Sequence, residues 1–416
     1  MLWDPLDYCP RETRSTSRDA RRTVGLAVFC QTVHWLSFAA IPLLLPLIRE
    51  DLQIGFAEAG MISVAGALSY MLGQVPSGYL ADRCGPKRLV FVGLLGWSLL
   101  SVSFGLIHVF WLALVNQFFA GFFRALLFVP GITLLASWFP LERRATAMSL
   151  VLVGGAVGSV LLSLAGPVLA QAYGWRPTFI AFASIGIGAA VLFGAYAKDR
   201  PQAALPRAVS LASIVGIVRQ PVMWVCCGLQ FVRFAVVMGF GFWLPSFLVA
   251  ERGMSVQVAG LVMAMSAALS APSNTIGAYL SDRLKNPPVV IGGALGFLAC
   301  ASMLLPWTRT LPQVLAVVGL FSVFVGAYFG PLFLVPVEVL GPRVAGTASG
   351  IANLFANIGG LISVAALGVI KDQAGSFAWG FVGVGSVCLI GVVLAVALGR
   401  IRMRTLIAPA GMAKAV

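Results

Sequence analysis

Charge is what this chain has least of. Only 10% of its 416 residues are charged, and none of the 14 acidic side chains falls near the centre of a long apolar run. A soluble domain of this size carries far more charge. With 59% hydrophobic residues and a mean hydropathy of +0.95, the chain reads instead as a polytopic membrane protein.

Other absences narrow the class. The seven cysteines are odd in number and lack metal-ligand spacing, so neither a disulfide framework nor a metal centre is expected. In apolar segments a free cysteine behaves as a small apolar residue. No nucleophile–base pair, metal cluster or phosphate-binding loop is recognisable, which argues against an enzyme and against ATP as the driving force. No cofactor is expected. No soluble domain accompanies the apolar runs, which disfavours a sensor. The first twenty-odd residues hold five arginines and no apolar core, so a cleaved signal peptide of the usual kind is excluded and a cytoplasmic tail is expected.

What remains is a series of apolar stretches, each long enough at roughly 20 residues to cross a bilayer. They fall near 23–48, 58–80, 88–107, 111–138, 147–171, 176–197, 222–249, 257–280, 288–306, 312–337, 345–370 and 377–399. The expected fold is all-α, with twelve transmembrane helices in two pseudo-symmetric halves. Residues 1–22 form a tail, 23–197 the first half, 198–221 a central loop, 222–399 the second half and 400–416 a second tail. Of the 28 Lys and Arg residues, 21 lie in the tails and on the loops that share their side. Five lie opposite, namely Arg49, Arg176, Arg252, Arg309 and Lys371. Positive charge gathers on the cytoplasmic side, so both termini are expected in the cytoplasm, with the protein in a bacterial-type inner membrane. The net charge of +14 is thereby an orientation signal, and no nucleic-acid partner is expected.

The two halves resemble each other. QTVHWLSFAAIPLLLP (31–46) and QFVRFAVVMGFGFWLP (230–245) match Gln31 with Gln230, His34 with Arg233 and Pro46 with Pro245. AEAGMISVAGALS (57–69) resembles QVAGLVMAMSAALS (257–270), YLADR (79–83) repeats as YLSDR (279–283), and RRATAMS (143–149) as RVAGTAS (343–349). Duplicated membrane halves mark secondary transporters, whose substrate site lies near the bilayer midplane.

The segment GYLADRCGPKRL (78–89) resembles the loop 2–3 signature of the major facilitator superfamily, through Gly78, Asp82, Arg83, Gly85, Lys87 and Arg88. GWRPTF (174–179), LAGP (164–167) and NLFANIGG (353–360) support it, and the resemblance covers residues from about 23 to 400. It implies a fold that generally works as a monomer by alternating access, with a conformational latch. In that latch Asp82 meets the start of span eleven, while Asp282, next to Arg283, faces the start of span five near Arg143. Arg343 repeats Arg143 in the second half. Gly85 permits the tight reversal between helices. The second copy, SDRLKNPP, lacks the glycine and the later basic pair.

Two cations remain, Arg124 and Arg233, each about twelve residues into its span. A mid-bilayer charge costs roughly 2.5–3.5 kcal/mol on insertion scales, so such groups face a cavity and find a partner. Arginine cannot escape by deprotonation, and no carboxylate lies at this depth. The missing partner is then an anionic cargo, which a guanidinium binds bidentately. Alternatives stay open: Arg233 reaching towards an interface, or Arg124 holding a backbone carbonyl. Superfamily members often carry an arginine four residues before the glycine of span four, where this chain has Gln117. His34 is either a packing residue or the carrier of a coupled proton, as the one mid-membrane group titrating near neutral pH. Gln31, Gln230, Tyr328, Asn353 and Asn357 form a second tier of candidate contacts.

The expected function is secondary active transport of a small organic anion, a mono- or dicarboxylate, with protons as a second cargo if His34 titrates. The alternative is a drug–proton exporter of the same fold. Cationic drug pumps usually need a membrane carboxylate, which is missing here.

Overall fold

The computed structural model of the protein describes residues 14–139, 144–199, 216, 218–284, 286–328, 332 and 345–407. Regular structure among them is helical. In chain order the α-helices are α1 (Arg14–Phe38), α2 (Ala40–Leu52), α3 (Phe56–Cys84), α4 (Pro86–Phe104), α5 (Phe110–Trp138), α6 (Arg144–Tyr173) and α7 (Trp175–Tyr196). There follow α8 (Pro221–Ala250), α9 (Val256–Leu284), α10 (Pro287–Leu304), α11 (Leu311–Val325), α12 (Ala345–Ala374) and α13 (Ala378–Ile407). Eleven stretches are long and apolar enough to cross a membrane, the first running through α1 and α2 together, and α11 is a shorter apolar helix. The chain is a multi-pass integral membrane protein. The expected tenth span, 312–337, is helical to Val325; most of its second part lies outside the described residues.

Span one is interrupted at Ala39 for a local reason. Pro42 has no N–H to return to the carbonyl of Phe38, and the helix restarts one residue later with Ala39 as its N-cap. The side chains at 34–38 are thereby set on one segment and the apolar run Ile41–Leu45 on the next.

The chain divides into two compact units, residues 1–54 with 61–205 and residues 55–60 with 206–416. In the first unit α1 packs on α6 and α7, and α4 packs on α5 and α7. Val24, Cys30, Leu94, Leu127, Trp138 and Phe193 are among the buried side chains of its core. In the second unit α8 packs on α12 and α13, α10 on α13, and α9 on α11. An aromatic column fixes its centre: Phe240 stacks on Phe321 with centroids 3.6 Å apart and meets Phe381 at 5.6 Å.

The internal repeat is visible as matched close contacts. A Cβ on Gly158 would overlap the backbone carbonyl of Thr32, and a Cβ on Gly359 that of Phe231. Thr32 and Phe231 each follow the repeated glutamine, so the same helix crossing occurs once in each unit. Carboxylates recur as well. At the end of α2, Asp51 accepts from Arg176 and from Trp175 Nε1 at the start of α7. Two hundred residues later, at the end of α8, Glu251 accepts from Lys371 Nζ at 2.7 Å and from the backbone N–H of Phe377, just ahead of α13.

The first turn of α3 belongs to the second unit. Its Phe56 and Ala57 N–H groups donate to the Asp372 carboxylate at 3.0 and 2.7 Å. An anion at a helix N-terminus is favoured by the unpaired amides and the helix dipole.

Candidate functional site

In the first unit, α1 presents Gln31, His34, Trp35 and Phe38 on successive turns, and α5 brings in Arg124. The Arg124 guanidinium lies over two rings, 4.0 Å from the Tyr70 centroid and 4.5 Å from that of Phe38. Aromatic faces attract a cation through their quadrupole. Such contacts satisfy part of the charge without using a carboxylate. Among the described residues no carboxylate pairs with Arg124. His34 and Arg124 are electrostatic neighbours.

His34 is 6% exposed and embedded in rings. It lies parallel to Phe38 at 6.0 Å and meets Trp97 at 5.1 Å. Neither of its ring nitrogens has a hydrogen-bond partner among the described residues, nor does Gln31 Nε2. Three buried polar atoms thus share one stretch of α1. Buried polar groups are usually hydrogen-bonded, and these atoms are the hydrogen-bonding groups this stretch of α1 offers.

Gln117 does not join this cluster. Its amide donates to Asn116 Oδ1 at 3.3 Å, and its side-chain oxygen sits near Gly66 of α3. Seven residues is two turns, yet Gln117 is consumed by the α3–α5 contact while Arg124 reaches the rings.

In the second unit, Arg233 is 8% exposed on α8 and donates from Nε to Gln230 Oε1 at 2.7 Å. Its guanidinium lies 5.3 Å from the Phe234 centroid. Tyr328 is its electrostatic neighbour. The Tyr328 side chain is fully buried, and its hydroxyl lacks a partner among the described residues. On α12, Asn357 Nδ2 donates back to the Asn353 carbonyl at 2.8 Å. This bond within one helix occupies part of the Asn357 amide. Gln230, Arg233 and Tyr328 therefore form a group.

The loop signature shows a different chemistry. Gly85 stands at φ +82° between α3 and α4, where an L side chain is strained. Asp199 closes the turn by accepting from the Lys87 N–H at 3.0 Å. Arg83 lies 4.7 Å over the Tyr79 ring, Gly78 has open space around its Cα, and Arg88 shares a surface depression with Lys87. Arg283 ends α9. The side chains of Asp82 and Asp282, and residues Arg143 and Arg343, lie outside the described residues.

The Major Facilitator Superfamily family model matches residues 27–364 of the chain. The chain belongs to this superfamily. Curated relatives are similar over most of their length. A hexuronate transporter of Bacillus subtilis (strain 168) is 24% identical over 387 residues, covering 88% of this chain and 91% of its own. A probable sulfoacetate transporter of Cupriavidus necator (strain ATCC 17699 / DSM 428 / KCTC 22496 / NCIMB 10442 / H16 / Stanier 337) is 25% identical, covering 85% and 88%. Among solved structures, a bacterial homologue of the human lysosomal transporter Spinster, in an inward-facing, unoccupied conformation, shares the fold with a TM-score of 0.75 at 18% identity, over 94% of this chain and 96% of its own. The superfamily membership makes this chain a membrane transporter in class and accounts for the duplicated helix crossings at Gly158 and Gly359.

Phe38, Tyr70 and Trp97 were not singled out in the sequence. Aromatic residues are common in apolar spans, and the one usable signal was Phe38 one turn after His34. Asp199 gave none, since a carboxylate next to a basic loop reads as a solvated charge.

Proposed function

We propose that this superfamily member transports a small organic anion, a mono- or dicarboxylate, by alternating access. Arg124 and Arg233 each supply a guanidinium to anionic cargo. The observation that carries this is Arg124: a permanent cation deep in the first unit, flanked by Phe38 and Tyr70, with its in-plane donors unclaimed by any described carboxylate. Gln31, Gln230 and Tyr328 supply further hydrogen bonds to the cargo. Where transport is proton-coupled, the proton rides on His34. The relatives named above, for hexuronate and sulfoacetate, both carry organic acids by name. The distribution of basic residues supports an inner-membrane location with both termini in the cytoplasm.

Reconstitution tests this. Purified protein in proteoliposomes is expected to take up a radiolabelled carboxylate from a panel of aliphatic, aromatic and sugar acids. The Arg233→Gln protein is expected to insert, elute as a single species and show no uptake above empty liposomes. Full uptake by that variant removes Arg233 from the site.

A further inference from the structure

The surroundings of Arg124 say more than that an anion binds. Two rings, Tyr70 and Phe38, lie against this cation, and His34, Trp35 and Trp97 pack in turn around Phe38. Phe38 is the hub, 5.2 Å from Trp35 and 6.2 Å from Trp97. Burial is graded across the group. His34 and Trp97 are 6% and 2% exposed and form its back wall. Trp35, Phe38, Tyr70 and Arg124 are only partly buried. A charged group in a membrane protein is not left facing lipid, so the open side of this group faces a cavity. The rings of Phe38 and Tyr70 set flat apolar surface beside the guanidinium.

The buried polar atoms beside these rings are few, and Trp97 Nε1 is one of them without a partner among the described residues. Gln31 Nε2 and the two His34 nitrogens are the buried polar atoms of this stretch of α1 without a partner. Gln117, which would add to them, is already bonded to Asn116. A polyhydroxylated acid brings a hydroxyl on nearly every carbon, and each one buried without a partner opposes binding. An acid with a flat unsaturated body brings none beyond its anionic group. Its ring can lie edge-on or offset against Phe38 and Tyr70, as aromatic pairs prefer, with the carboxylate on the Arg124 edge.

We infer that the cargo is an aromatic or otherwise planar, unsaturated carboxylate, with Phe38 and Tyr70 as specificity-determining residues that grip its body while Arg124 takes its charge. This deepens the proposed anion transport and stands on it.

The test compares benzoate with D-glucuronate, two carboxylates built on six-membered rings, as ligands of the purified full chain in detergent. Thermal stabilisation and competition for uptake in proteoliposomes are the readouts. Benzoate is expected to bind at least about tenfold more tightly than glucuronate. Tyr70→Leu and Phe38→Leu, which keep apolar bulk but remove the ring, are expected to erase that preference and leave chromatographic behaviour and melting of the empty protein near wild type. Tighter binding of glucuronate by the wild-type chain overturns the aromatic assignment and leaves anion transport standing. If both carboxylates fail while neutral benzamide stabilises the protein, both fall. The wild-type comparison needs no variant, so a misfolded Leu substitution does not rescue the inference.

Discussion

Arg233 donates from Nε to Oε1 of Gln230 at 2.7 Å, across one turn of α8. The bond fixes one edge of the guanidinium and so sets the direction of its terminal donors. At the matching place on α1, Gln31 and His34 keep the same three-residue spacing, yet Gln31 Nε2 and both imidazole nitrogens lack partners among the described residues. One half of the repeat holds its cation in place; the other offers open polar atoms.

Replacing Gln230 separates positioning from charge. Gln230→Leu removes a hydrogen bond to a charged group, worth about 1.5–3 kcal/mol. An apparent KM for uptake raised about tenfold or more, with normal insertion, is the expected result. Gln230→Glu places a carboxylate on the same guanidinium and is expected to abolish uptake, because the resident anion competes with the cargo. Uptake by Gln230→Glu equal to wild type contradicts this role.

His34 is the candidate for a coupled proton. In His34→Gln proteoliposomes an imposed proton gradient is expected to give no accumulation, while exchange of labelled for unlabelled anion continues. Gradient-driven accumulation in that variant removes His34 from coupling.

The two glycine crossings carry the fold. Gly158→Val and Gly359→Val drive side-chain atoms into the backbone carbonyls of Thr32 and Phe231. Overpacking against backbone costs about 3 kcal/mol or more, so neither variant is expected to yield a monodisperse protein. Gly241 has nothing within 4 Å of an added Cβ. Gly241→Ala is expected to hold stability or raise it by up to about 1 kcal/mol. Size-exclusion profiles and melting curves distinguish the two classes.

Glu251 is the main tie at the end of α8. It accepts from Lys371 Nζ, the Phe377 N–H and Ser376 Oγ, and the ion pair is largely buried, with side-chain exposures of 13% for Glu251 and 11% for Lys371. Glu251→Ala leaves a buried ammonium unpaired, at a cost of about 3 kcal/mol. A lowered melting temperature with substrate affinity per folded molecule unchanged is expected. An unchanged melting temperature assigns the pair no stabilising role.

Much of this was legible in the sequence. The apolar runs gave the spans because a bilayer imposes a minimum length, and the spacing of Gln31 and Gln230 gave the repeat. Arg124 and Arg233 stood out because a charge in mid-span has no cheap explanation. The rings at Arg124 did not stand out, since Phe38 and Tyr70 are ordinary residues for a span and only the packing of α1, α3 and α5 brings them to one cation. Gln117 shows the converse: its place matches a superfamily position, yet its amide is bonded to Asn116 on the same helix. Asp51 and Glu251 lie at span ends, where a charge ordinarily reads as solvated, and their bonds to the start of the sixth and twelfth spans depend on tertiary structure.

The central claim is that Arg124 binds the anionic group of the cargo. It is tested most directly by comparing a carboxylate with its uncharged amide, benzoate against benzamide, as stabilisers of wild type and Arg124→Gln. The expected result is stabilisation of wild type by benzoate alone, lost in the variant. Equal stabilisation by benzamide, or benzoate binding that survives Arg124→Gln unchanged, contradicts it.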